Sequence, residues 1–125
     1  MDNIIYKEES YQIIGICMEV HNNLGAGFLE IVYKDAMEYE FLIRDMLFAR
    51  EKEYSVPYKN IILKHSFFAD FVIYNSVILE VKAKQGGISD EDYAQTINYL
   101  RISGCKVGLI INFGKGKVEI KRVIY

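Results

Sequence analysis

Two cysteines, one proline, a nearly balanced charge and no long apolar run set the first limits on this chain. Cys17 and Cys105 lie far apart and in no metal-ligand spacing, which argues against a cysteine zinc site and reads as two reduced core thiols. No stretch reaches the roughly 18 apolar residues of a membrane span. The opening MDNIIYKEES lacks the basic and apolar segments of a secretory signal, so a cytoplasmic protein with no membrane partner is expected. Fifteen basic against seventeen acidic residues exclude a blanket electrostatic attraction to nucleic acid, so any such binding needs a local basic patch. Pro57, the single proline, sits in a short strand-like run and implies an edge position.

What is present is a core. Half of the residues are hydrophobic, ten are Tyr and seven Phe, enough for one globular domain over residues 1–125 without disulfides or a structural metal. Ile13, Cys17, Val20, His21 and Leu24 form a helical stripe that predicts a first helix from about Glu8 to Asn23. A second is expected from Leu29 to Arg50, with Val32, Ala36, Tyr39, Ile43 and Met46 inward. Strands are expected at 54–59, 61–65, 67–74 and 77–83. Ser89 followed by Asp90, Glu91 and Asp92 reads as the capped start of a third helix that stops at Gly104, with Tyr93, Ala94, Ile97 and Leu100 as its apolar stripe. Strands at 106–112 and 117–124 close the chain. The succession predicts an α/β (α+β) fold, a mixed β-sheet flanked by helices with two helices at the N-terminal end.

The hairpin of FFADFVIY and VILEVKA carries the chemistry. Residues two apart in a strand share a face, so Glu80 and Lys82 point the same way and Val81 into the opposite layer. Pairing about Asn75 and Ser76 brings Asp70 near Glu80. Two carboxylates and a lysine suit a hard divalent cation such as Mg²⁺, with the lysine orienting water or stabilising charge on a phosphate. An acid and a lysine two apart on a strand are more often an ion-paired surface. The apolar setting argues for a role, since unpaired charges are costly to bury there, although a buried structural pair satisfies the same physics.

Gln95 and Tyr99, four apart, share a helix face away from the apolar stripe and suggest the edge of a site, or an exposed amide beside a half-buried ring. In Gly27-Phe28-Leu29-Glu30-Ile31-Val32-Tyr33, glycine frees the backbone at a helix start and Glu30 suits the helix dipole. Glu30 can also lean towards a metal or its water. His21 could join it, although a lone histidine on an apolar stripe is more often packed in the core, and His65 reads as surface.

From end to end the chain resembles the GxxExxY proteins of the PD-(D/E)XK nuclease-like superfamily. The residues that carry the resemblance are Glu19-Val20-His21, Leu24 to Tyr33, Ala69-Asp70, Leu79 to Ala83, Gln95 to Leu100 and Val107 to Gly114. It implies a restriction-endonuclease-like core in which Asp70 and Glu80 bind Mg²⁺ or Mn²⁺, the Val81 carbonyl is a further ligand, and Lys82 is catalytic. Glu30 would be the additional helix-borne acid, and Gln95 with Tyr99 looks like the QxxxY element of RecB-like nucleases. The proline that usually precedes the first aspartate is here Ala69, which relaxes the backbone but removes no ligand.

The reading that joins these observations is a Mg²⁺- or Mn²⁺-dependent phosphodiesterase acting on nucleic acid, DNA rather than RNA. Lys84, Lys115 and Lys117 would contact the backbone without reading sequence. A homodimer could address both strands. The alternative is a nucleic-acid- or protein-binding module that keeps the nuclease fold without turnover, and metal binding separates the two.

Overall fold

A computed structural model describes residues 6–125; residues 1–5, part of the opening segment read above, lie outside the described residues. Helix α1 (Lys7–Leu24) and helix α2 (Glu30–Ile43) are followed by strand β1 (Phe48–Tyr54), the short pair β2 (Pro57–Tyr58) and β3 (Ile61–Ile62), and the hairpin β4 (Phe67–Ile73) and β5 (Val77–Lys82). Helix α3 (Asp90–Ser103) then crosses to strands β6 (Val107–Asn112) and β7 (Glu119–Ile124). The main sheet runs β1-β4-β5-β6-β7, parallel only between β5 and β6, while β2 and β3 pair apart from it.

Alternation along β5 and β6 sorts side chains into two layers. Val77, Leu79, Val81, Val107, Leu109 and Ile111 face α1 and α2, together with Phe41, Phe71 and Phe113. Ile78 and Ile110 face α3 with Leu100. Gly108 lets α3 lie close, since a Cβ there would stand 2.9 Å from Thr96 Cγ2. The helix begins with a reciprocal cap, Asp92 N donating to Ser89 Oγ and Ser89 N to Asp92 Oδ2.

Three expectations change. Helix α2 ends at Ile43 rather than Arg50, because Asp45 turns left-handed at φ 55° and the following residues pair with β4 as an edge strand. Its buried face is Tyr33, Lys34, Met37 and Phe41; Tyr39 and Ile43 point outward. Both stripes are largely apolar, so periodicity alone could not choose between them. In α3 the buried face is Asp92, Thr96 and Leu100, while Tyr93 and Ala94 are exposed. Pro57 does lie in the small two-stranded pair, exposed to solvent. No described helix is long and apolar enough to cross a membrane.

Tyr33 fixes the start of α2. Its ring stacks on Phe113 at 4.6 Å, its hydroxyl donates to the Gly25 carbonyl at 2.6 Å, and Phe28 N donates to that hydroxyl at 3.3 Å. Tyr33→Phe keeps the stack and loses both hydrogen bonds, so a stability loss of about 1–2 kcal/mol is expected in urea unfolding.

Candidate active site at the sheet end

The β4–β5 register pairs Phe71 with Leu79, and its continuation sets Asp70 opposite Glu80. The loop between the strands is Tyr74-Asn75-Ser76, closed by Ser76 N donating to Ile73 O at 2.9 Å, with Tyr74 and Asn75 both left-handed. At Asp70 the strand's alternation breaks: Ala69 and Val72 pack in the α3 layer but Phe71 and Ile73 in the other. Its neighbour across the β1 ladder, Glu51, is left-handed at φ 53°, strained for a side chain with a Cβ.

The carboxylates are locked to backbone. Asp70 Oδ2 accepts from Val81 N at 2.7 Å, and Glu80 Oε2 accepts from Asp70 N at 3.1 Å. Glu80 is 4% exposed. Burial first, then the charge of Asp70, push its carboxyl up to about 8, against the pull of Asp70 N, Lys82 and Lys34. Two carboxylates that close, one nearly dry, repel each other unless a cation or a proton intervenes.

Lys82 lies on the Glu80 face with its ammonium 3.9 Å from Asp92 Oδ1, and Lys84 pairs with Asp92 Oδ2 at 2.5 Å. Burial raises the Asp92 carboxyl, but Lys84 and Ser89 N outweigh it and hold it below the usual range. Glu30 is the first residue of α2 and exposed; desolvation and the Asp70 charge nonetheless raise its carboxyl, with Lys82 and Lys34 opposing. Tyr99 stacks on Phe67 at 4.1 Å, and its phenol is raised by desolvation and by the charges of Glu80 and Asp70 while Gln95, itself exposed, hydrogen-bonds to it. Glu30, Asp70, Glu80, Lys82, Gln95 and Tyr99 thus gather at one end of the sheet, where the N-terminal turns of α2 and α3 also lie.

Other candidates lie elsewhere. His21 donates from Nε2 to the Lys115 carbonyl at 2.7 Å and lies parallel to Phe113, a packed core histidine. Lys115 pairs with Glu119 at 3.6 Å, and Lys117 lines a cavity between α1 and the β6–β7 face.

Two residues of the site were not anticipated. Lys34, one turn after Glu30, is 5% exposed and donates to Asp70 Oδ1 at 2.8 Å and to Glu51 Oε1. Burial pulls its ammonium down, but the two carboxylates hold it above the ordinary lysine value. Asn112, fully buried, accepts from Lys84 N at 2.9 Å and donates to Lys84 O at 2.8 Å, clamping the chain just past Lys82. A polar residue closing the apolar run of β6 was the signal for Asn112. Lys34 gave none, since a lysine in a mixed helix reads as solvent-facing.

Among the described residues no three His, Cys, Asp or Glu side chains group closely enough to hold a metal ion, so Glu30 does not complete a three-acid cage with Asp70 and Glu80. The two-acid set still fits a divalent ion of the Mg²⁺ type. That ion is usually held by one or two carboxylates, with waters and substrate oxygens completing its shell. The elevation of the Glu80 carboxyl by burial and by the Asp70 charge is the electrostatic mark of such a site.

A sandwiched mixed sheet with two adjacent strand-borne acids and a lysine two residues on is the arrangement of a nuclease-like fold. The chain belongs to the PD-(D/E)XK nuclease superfamily, whose family model matches residues 7–123. Its fold is similar to the crystal structure of SSO0001, with a TM-score of 0.62 at 14% identity over 95% of this chain. The chain spans 59% of that protein's length. No curated protein shows a significant sequence match.

Proposed function

We propose that this domain is a Mg²⁺- or Mn²⁺-dependent nuclease of the GxxExxY type that hydrolyses phosphodiesters of DNA. The observation that carries the reading is the juxtaposition of Asp70 and Glu80 across the hairpin, with Lys82 on the Glu80 face, inside a superfamily whose members are nucleases. Asp70 and Glu80, with the Val81 carbonyl, would hold the ion, which when bound supplies charge neutralisation at the phosphate and an acidified water. Lys82 then orients that water or meets phosphate charge, its long contact with Asp92 leaving it able to turn. Glu30 stands outside the acid pair and acts through solvent. Gln95 and Tyr99 form the wall on the α3 side. Lys84, two residues past Lys82, would meet the nucleic-acid backbone beside the site, whereas Lys115 and Lys117 would meet only a strand that continues away from it. Cytoplasmic location and a homodimer that addresses both strands complete the proposal.

The test is Mn²⁺ titration by calorimetry beside cleavage of labelled single-stranded, duplex and branched DNA, in the wild type and Lys82→Met. The expected result is Mn²⁺ binding by both, within about threefold, and cleavage lower by roughly 10²-fold in the variant. Mn²⁺ binding with no cleavage of any substrate by the wild type would point instead to a binding module. No Mn²⁺ binding would overturn the metal reading.

A further inference from the structure

Lys34 is the best-buried ammonium of the described residues and sits among the acids rather than in solvent. It rises from the second turn of α2, its side chain 7% exposed, and is shared between Asp70, side chain 14% exposed, and Glu51, 47% exposed. Its contact on Asp70 is Oδ1; the other oxygen of that carboxylate is taken by Val81 N. Asp70 therefore has both oxygens occupied, one of them by a full positive charge.

Resting on the metal-nuclease reading, we propose that Lys34 is a resident counter-cation of the acid pair. It holds Asp70 in place when no divalent ion is bound, competes with that ion for Asp70, and is drawn off by Glu51. Glu51 suits the second part. It belongs to the edge strand, is half exposed, pairs with Lys34 beside Asp70, and adopts a left-handed backbone that costs energy. An ammonium leaning on Asp70 lowers the negative potential a divalent ion meets, and a carboxylate beside that ammonium restores part of it.

The two partners must then act in opposite directions on ion affinity. Calorimetric titration of Mn²⁺ into metal-free wild type, Lys34→Met, Glu51→Gln and the double variant reads this without any substrate. Lys34→Met is expected to bind Mn²⁺ about tenfold more tightly and Glu51→Gln several-fold more weakly, and the effect of Glu51→Gln is expected to shrink to within about twofold once Lys34 is gone. Thermal melts supply the second readout: Lys34→Met should melt lower than wild type without metal and gain more on adding Mn²⁺. Should Lys34→Met not fold without metal, recovery of its fold by Mn²⁺ supports the proposal and failure to recover overturns it. Wild-type affinity in Lys34→Met, or an undiminished Glu51→Gln effect in its background, sinks the counter-cation role and leaves the nuclease reading standing. Absence of Mn²⁺ binding in all four proteins overturns both.

Discussion

Glu80→Gln should abolish cleavage, by roughly 10³-fold or more, while raising the melting temperature of the metal-free protein at alkaline pH. The amide keeps an oxygen to accept from Asp70 N, so the hairpin contact at 3.1 Å survives. What disappears is a charge. The Glu80 carboxyl is raised to about 8 in the folded chain, above the ordinary value of 4.5 it has when unfolded. Between those values the folded state holds the extra proton, so stability falls as pH rises from about 4.5 to about 8 and stays low beyond. The variant has no such term. Melts from pH 5 to 9 should therefore show the variant gaining on the wild type up to about pH 8, by more than about 5 °C, and then running parallel. Added Mn²⁺ should lift the wild type and leave the variant unmoved. A variant that loses stability at every pH would mean that Glu80 is held chiefly as a structural ion pair.

Gly114→Ala should be the most damaging small substitution in the chain. A Cβ at residue 114 would stand 2.4 Å from the backbone N and C of Lys84 and 2.5 Å from its O. Those atoms cannot swing aside as a side-chain tip can, and Asn112 grips the same residue at both its N and its O. A loss of about 3 kcal/mol or more is expected, a fall of about 10 °C in melting temperature. Cleavage by the remaining folded protein should fall as well, because displacing Lys84 moves Lys82 two residues before it. Gly116→Ala is the control: nothing lies within 4 Å of its added methyl, and its melting temperature should change by less than about 2 °C. Equal melting of the two variants would refute the close approach.

The acid pair was legible in the sequence because it is local. A three-residue loop fixes the register of the hairpin, and with it the distance from Asp70 to Glu80, without help from the rest of the chain. The apolar periods of α1, β4, β5 and β6 and the capped start of α3 were legible for the same reason. Strand β1 was not. FAREKEY sets four charged residues in a row between apolar ends on an edge strand, Asp45 ends the preceding helix without a glycine, and residues 48–50 read as more helix while 51–53 fall in no expected element. Without the strand Glu51 had no place in the sheet, and with it went the reason for a lysine on the inner face of α2. Lys34 and Asp70 are 36 residues apart, and no spacing rule links a helix to a strand at that distance.

Asp92 caps a helix with the same carboxylate that restrains Lys84 and faces Lys82. Helix α3 is thus a latch as well as a layer. Lys84 can extend outward only as far as the first turn of α3 releases it, so the reach of that ammonium is governed by how tightly the turn is wound.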